Sequence, residues 1–306
     1  MMKPKIGIAL GGGAARGWSH IGVLKVLEQA GFEPDIIVGT SIGSVVGGCY
    51  VSGKLDELEQ FACGLTPRRI FGFLDFNFAG SGLISGQRLA EQLGSHLDEV
   101  LIESLPKKFV AVATELKTGH EIWLSKGPLV PAMHASYALP GIFRPVNINN
   151  RWLIDGALVN PIPVSVCRAL GAQIVIAVNL NWDFFGKGTV VPNQDAFGEA
   201  EMPVAESEPP SGNGRAAQHL LRKQFFGQGS SAPGISSVMM DAFNIIQDRI
   251  ARSRLAGDPP DIMIMPDLGE MGLFDFHMAD EAIANGTAAT EKVLDDVQRA
   301  VGALAA

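Results

Sequence analysis

Two short stretches carry the side chains best suited to chemistry. Gly39-Thr40-Ser41-Ile42-Gly43 is a G-x-S-x-G set directly between an apolar run, Ile36-Ile37-Val38, and a segment rich in small residues. A serine on such a strand-to-helix turn has its hydroxyl pushed out beyond the sheet, and the flanking Gly39 and Gly43 relieve the crowding of the turn. The helix that follows points N–H groups and the positive end of its dipole at any oxyanion formed there. The implied chemistry is nucleophilic attack on a carbonyl; the plain alternative is a serine N-cap between two packing glycines. A nucleophilic serine needs a proton acceptor. Asp155, in Asp155-Gly156-Ala157, supplies a carboxylate at the end of the apolar run Trp152 to Ile154, although the triplet alone reads equally well as an Asx turn. A conventional triad adds a histidine after the aspartate, and only His219 and His277 follow Asp155. His277 stands beside no second motif and reads as a surface residue at a helix start.

A second glycine-rich stretch, Gly11-Gly12-Gly13-Ala14-Ala15-Arg16-Gly17, also follows an apolar run. Its N–H groups can form an anion-binding nest. A dinucleotide loop would require G-x-G-x-x-G and an acidic residue at the end of the second strand. That strand ends instead in Gly39-Thr40-Ser41, and Asp35 lies at its beginning. An oxyanion hole is the preferred reading, because two strands ending at one sheet edge would set this loop beside Ser41 and explain both loops with one reaction.

These residues need a scaffold, and the pattern predicts one. Strand, glycine loop and helix up to Gly31, then strand and small-residue helix up to Gly53, form a β-α-β-α unit. Helices are expected at Leu55 to Cys63 and Gly86 to Leu97, and strands at Phe109 to Thr114, Glu121 to Leu124 and Trp152 to Ile154. A helix is expected after Pro161-Ile162-Pro163, then a strand at Gln173 to Leu180, a helix at Ile235 to Leu255, a strand at Asp261 to Met265 and one terminal helix at Met278 to Val301. Apolar strands alternating with helices give an α/β fold with a mostly parallel central sheet flanked by helices.

Composition sets the outer limits. The chain has 306 residues, 47% of them hydrophobic and 18% charged, enough for a sizeable core. A net charge of −8 argues against a general grip on nucleic acid or anionic lipid. Cys49, Cys63 and Cys167 have neither the number nor the spacing for a disulfide framework or a zinc site, and they fit a reducing, cytoplasmic compartment. Ile36 to Gly53 is uncharged over 18 residues, long enough for a membrane span but broken by five glycines. The first residues lack the features of a signal peptide. From Gly186 to Gly234 the chain turns rich in Gly, Pro, Ser and Glu, with five acidic residues between Asp195 and Glu208. A flexible insertion is expected at 186–234 in an otherwise single domain spanning 1–306. Within it, Ala216, Leu220, Leu221, Phe225 and Phe226 with Arg215, Arg222 and Lys223 fit a short basic amphipathic helix; a membrane-resting lid and a loop packed on the domain are both open.

The order of Gly11 to Gly17, Gly39 to Gly43 and Asp155-Gly156-Ala157 resembles the patatin-like phospholipases, notably small bacterial members and the catalytic domain of neuropathy target esterase. The resemblance continues through Ala113 to Gly119, Ala135-Ser136 with Pro140, Phe143 and Pro145, and Asn160 to Pro163. It covers Lys5 to Leu180 and, more loosely, Asp261 to the C-terminus. It implies a three-layer architecture and a Ser-Asp dyad without histidine, carried onto Ser41 and Asp155. It also implies an oxyanion loop at Gly12, Gly13 and Ala14, with Gly11, Arg16 and Gly17 completing the motif. Ala14 departs from that motif, where its second glycine would fall. Arg16 has two open roles, a lipid phosphate ligand or a structural partner of the loop. The activity so implied is hydrolysis of phospholipid or lysophospholipid esters without metal or other cofactor, with peripheral contact at the inner membrane surface. The alternative is a non-catalytic regulatory protein that keeps the fold and binds lipid or a protein partner. No feature fixes the oligomeric state.

Overall fold

A computed structural model describes residues 4–73, 97, 99–182, 235–269 and 271–305. The expected insertion at 186–234, its amphipathic helix and His219 lie outside the described residues, as does the helix expected at Gly86 to Leu97 apart from Leu97. The chain divides into two compact units, Met1–Phe184 with Gln247–Ala306, and Phe185–Ile246. The first holds the sheet and every candidate site residue. Of the second, residues 235–246 are described, and they form the first half of a long helix.

Among the described residues eight strands form one sheet: β1 Ile6–Leu10, β2 Ile36–Thr40, β3 Lys108–Glu115, β4 Glu121–Leu124, β5 Val146–Ile148, β6 Arg151–Asp155, β7 Ile174–Val178 and β8 Ile262–Ile264. Their order is β5-β6-β3-β2-β1-β7-β8, with β4 also paired to β3. From β3 to β8 the neighbours run parallel, while β4, β5 and β6 add antiparallel pairs. Every residue of β1, β2 and β7 is buried, as a parallel sheet covered on both faces requires. On one face Ile6, Ile8, Leu10, Ile37, Ile174 and Ile176 meet helices α1 (Ser19–Gln29), α2 (Ile42–Val51), α3 (Leu55–Cys63) and α5 (Leu129–Tyr137), together with α8 (Ala279–Glu291) and α9 (Leu294–Ala305). On the other, Ile36, Val38, Val110, Val112 and Val175 meet α6 (Val164–Ala169) and Ala251 and Leu255 of α7 (Ile235–Gly257). The result is three layers. A further short helix, α4, spans Pro67–Phe73.

The uncharged span at 36–53 is β2, a turn and α2. No helix among the described residues is long and apolar enough to cross a membrane. The expected terminal helix at 278–301 is two helices, α8 and α9. Thr290, fully buried, donates its hydroxyl to Gly286 O at 2.8 Å, and the Val293 amide bonds Thr290 O, one residue short of the helical step. Such back-bonding bends a helix. Helix α5 is an addition to the expected elements; Pro131 lies within it, and a proline in the first turn removes only an N–H that has no helical acceptor. Strand β5 was also not expected. It is three residues long, joined to β6 by Asn149-Asn150 with φ of 52° and 61°, the left-handed pair of a tight hairpin turn.

The register of β3 positions the site. Along one edge it pairs with β4 from Ala111 to Thr114. Along the other it pairs with β2 up to Thr40↔Val112, and from Ala113↔Asp155 onward with β6. The carboxyl ends of β2 and β6 therefore meet head to head on adjacent residues of one strand. Behind this junction α2 packs unusually close: a Cβ on Gly43 would stand 2.2 Å from Leu10 O, and one on Gly39 2.4 Å from the Gly43 backbone. Gly43→Ala is expected to lower unfolding free energy by about 3 kcal/mol, because backbone must move to admit the methyl group. Urea unfolding of the variant measures this, and a loss below about 1 kcal/mol would show that α2 can shift freely.

Candidate active site

Ser41 follows β2 directly, with φ 55° and ψ −126°. This is left-handed backbone at a residue with a side chain, a strain of roughly 1–3 kcal/mol. Neighbouring groups hold the turn. The Ser41 N–H donates to Ser136 Oγ at 3.0 Å, and Ser136 Oγ donates to Val112 O at 2.6 Å. Ser41 O accepts from the Ser44 amide and hydroxyl. The Ser41 hydroxyl does not cap α2; it donates to Asp155 Oδ2 at 2.7 Å.

Asp155 is 1% exposed. Its Oδ1 accepts from the Ala157 N–H at 2.8 Å, and its backbone is tied by Thr114 Oγ1 to Asp155 O and by Asp155 N to Ala138 O. Burial raises its pKa to about 6, against the opposing pull of the Ala157 N–H and the Ser41 hydroxyl. The carboxylate is therefore a stronger base than an exposed aspartate. The Asx turn read from the sequence is also present, so the carboxylate meets the Ala157 N–H and the Ser41 hydroxyl at once.

The glycine loop lies beside this pair: a Cβ on Gly12 would be 3.4 Å from both Ser41 Cβ and Ala157 Cβ. Its carbonyls are bound one by one. His20 Nε2 reaches Gly11 O at 2.8 Å, Asn181 Nδ2 donates to Gly12 O at 3.3 Å, and the Arg16 amide donates to Gly13 O at 3.1 Å. Burial lowers the His20 pKa to about 4, so the ring is neutral and Nε2 is the protonated nitrogen. In a trans peptide the N–H opposes the C=O. Anchoring the carbonyls of Gly12 and Gly13 therefore turns the N–H groups of Gly13 and Ala14 the other way, and among the described residues neither meets an acceptor. Ala14 holds φ 47° despite its methyl group. Gly12 departs from the sequence expectation of an oxyanion donor: its N–H donates to Pro161 O at 3.0 Å.

A family model described as patatin-like phospholipase matches residues 8–168. The chain belongs to the patatin-like phospholipase family. It is 30% identical to an NTE family protein of Mycobacterium tuberculosis named as uncharacterized, over 95% of this chain and 92% of that protein. It is 30% identical to Lysophospholipase NTE1 of Yarrowia lipolytica over 57% of this chain and 12% of that much longer protein. Among solved structures, VipD from Legionella pneumophila is similar over 96% of this chain and 67% of its own, with a TM-score of 0.48 and 16% identity. The matched span of the patatin-like family contains the glycine loop, Ser41 and Asp155, and membership in it makes lipid hydrolysis the general class of activity.

Of the residues singled out from sequence, Gly39, Gly43, Gly17 and Gly156 serve close packing: a Cβ on Gly17 would strike Ile42, and one on Gly156 Val112 O, each at 2.2 Å. Arg16 is fully buried, its Nε bonded to Met271 O and its Nη1 to Asn181 Oδ1, bonds that brace the loop. His277 is exposed in the turn before α8, whereas the partner of the Ser41 hydroxyl is Asp155. Sequence reasoning gave no role to Ser136, His20 or Asn181. Ser136 stood in a recognised motif; the others, a buried histidine and an amide far along the chain, carry no spacing signal. Among the described residues no group of three or more His, Cys, Asp or Glu could hold a metal ion.

The raised Asp155 pKa has a consequence for stability. The folded chain binds this proton more tightly than the unfolded chain, whose value is the ordinary 3.8, so ionised Asp155 costs stability above about pH 6 and costs nothing below pH 4. The shift corresponds to about 3 kcal/mol. Asp155→Asn removes the titration. Its stability relative to wild type should therefore rise by about that amount between pH 4 and pH 7, read by urea unfolding at both pH values. An offset that does not change with pH would mean that the site solvates the carboxylate.

Proposed function

We propose that this chain is a serine lipid acyl hydrolase, cleaving carboxylic esters of phospholipids or lysophospholipids through a Ser41–Asp155 dyad and an acyl-enzyme. The observation that carries the reading is the 2.7 Å hydrogen bond from Ser41 Oγ to a buried aspartate, on a strained turn beside a glycine loop. Asp155 accepts the Ser41 proton as Oγ attacks the ester carbonyl, and returns it to the departing alcohol. The oxyanion is received by the N–H groups of Gly13 and Ala14, each worth about 2.7 to 4 kcal/mol in comparable sites. Water then resolves the acyl-enzyme with the same base. Gly12 shapes the wall of the site and does not donate. No step needs a metal ion or other cofactor.

In this reading the chain is one hydrolase domain spanning 1–306, with 186–234 as an insertion. It works in the cytoplasm, in peripheral contact with the inner membrane surface where its water-insoluble substrates lie. Three free cysteines, two of them buried, support a reducing compartment.

Ser41→Ala should abolish ester hydrolysis and fluorophosphonate labelling while leaving thermal unfolding near that of wild type. His277→Ala should stay within a few-fold of wild type; a loss as deep as that of Ser41→Ala would replace the dyad by a triad. Because only ionised Asp155 can take the proton, kcat/KM for a soluble short-chain ester should be level above pH 7 and fall about tenfold per pH unit below about 6. A profile that continues level to pH 4 would remove Asp155 as the base.

A further inference from the structure

Strands β3 and β6 carry the sheet past Ser41 and Asp155. Ala113 pairs with Asp155, and the ladder continues through Thr114↔Ile154 and Glu115↔Leu153 to Leu116, whose N–H donates to Trp152 O at 2.8 Å. Three residues at about 3.3 Å each set Leu116 and Trp152 about 10 Å beyond Asp155. Because β2 and β3 are parallel, this is the end of the sheet at which Ser41 leaves β2. Residues directly opposite in a ladder share a face, so the two side chains stand side by side. They are 53% and 55% exposed. Trp123, opposite Val112 on β4, lies further back on the same face and is also exposed.

The free indole and the local charge indicate what this tip meets. The ring N–H groups of Trp18, Trp123 and Trp182 donate to Phe276 O, a Glu121 carboxylate oxygen and Pro266 O, whereas among the described residues Trp152 Nε1 has no acceptor. A half-exposed ring with an unbound N–H suits the boundary of a bilayer, where one end of the ring is apolar and the other is wet. The chain as a whole carries a charge of −8, yet the exposed charges at the tip are positive. Lys117 forms no ion pair among the described residues, and Arg151 is exposed. Glu115 is recessed and stands 3.8 Å from both Arg151 and His120, while Glu121 is paired with Arg254 at 2.8 Å. Apolar side chains flanked by cations are the pattern of an interfacial anchor on anionic lipid. A second copy seated tip to tip would bring the same cations against one another. We propose that the Leu116–Trp152 tip is a docking surface for a bilayer containing anionic lipid, and that it seats the Ser41 end of the sheet on that bilayer. The choice of a lipid partner rests on the lipid hydrolase reading of the site. Interfacial anchors enter to a depth of about 5–10 Å, comparable with the reach of the tip, so docking would bring ester groups toward the dyad without opening the sheet.

Sedimentation with sucrose-loaded vesicles measures docking, and hydrolysis of a soluble short-chain ester reports on the dyad separately. Wild type should bind vesicles of phosphatidylcholine with phosphatidylglycerol more tightly than vesicles of phosphatidylcholine alone. Leu116→Ser and Trp152→Ser should each weaken binding to the mixed vesicles about tenfold. Lys117→Ser should weaken it about fivefold on mixed vesicles and leave it unchanged on neutral ones. Should Trp152→Ser fail to fold, Trp152→Phe serves in its place: the blue shift that mixed vesicles give wild-type tryptophan emission should be lost from this variant. Unchanged binding by both serine variants, a blue shift that persists in Trp152→Phe, a wild type that binds neither vesicle, or a wild-type dimer in size-exclusion chromatography that Trp152→Ser dissociates overturns the assignment. Ester hydrolysis without vesicle binding removes the docking surface and leaves the hydrolase reading standing. Vesicle binding that the serine variants lose, from a wild type that hydrolyses no ester, supports the docking surface and removes the hydrolase reading.

Discussion

One edge of β3 is shared by two strands that arrive from opposite directions. β2 occupies it as far as Val112 and β6 from Ala113 onward, so neither strand can continue without running into the other. The chain must leave the sheet at Ser41 after β2 and at Gly156 after β6. This explains why Ser41 takes a backbone conformation that a serine adopts only under constraint, and why Gly156 tolerates no Cβ against Val112 O. It also fixes the Ser41–Asp155 approach, because adjacent residues of one strand set the separation of what pairs with them. The catalytic geometry proposed for the pair is a property of strand register before it is a property of side chains.

The arrangement costs free energy at two points, the left-handed turn and the buried carboxylate. Both are offset by groups whose only visible task is local. Ser136 bridges Ser41 N to Val112 O, and Ala157 N meets the Asp155 oxygen that Ser41 leaves unused. The glycine loop is restrained in the same manner from behind, by neutral His20, Asn181 and the Arg16 amide on three successive carbonyls. Around these points β1, β2 and β7 are buried at every position, which gives the rigid frame that strained turns need.

The parts of this fold legible in the sequence are those dictated by short-range patterns. Apolar runs gave the parallel strands and glycine-flanked turns gave Ser41, Asp155 and the loop, because steric demand leaves a residue-type signature at the turn itself. What the sequence hid depends on distant partners. Helix α5, and with it the support of Ser41 by Ser136, is absent from the expected elements. Thr290 divided a continuous helical pattern by one hydroxyl hydrogen bond. The assignment of N–H groups in the glycine loop could not be read at all, since it is decided by which carbonyls meet His20, Asn181 and Pro161 O, residues separated from the loop by up to 169 positions. The bond from Gly12 N–H to Pro161 O shows why: a nest of glycines predicts many N–H donors, and only tertiary contacts determine which ones remain unbound.

The histidine-free dyad proposed here raises the question of base strength, and burial supplies an answer. An exposed aspartate is a poor acceptor for a serine proton, while an ordinary histidine titrates near 6.5. At about 6, Asp155 has moved most of the way to that value without an imidazole. The dehydration that raises the pKa also lowers the local dielectric, which strengthens any N–H group aimed at a developing negative charge. One physical change, the exclusion of water from the junction of β2 and β6, therefore favours the proposed base and the proposed oxyanion donors together.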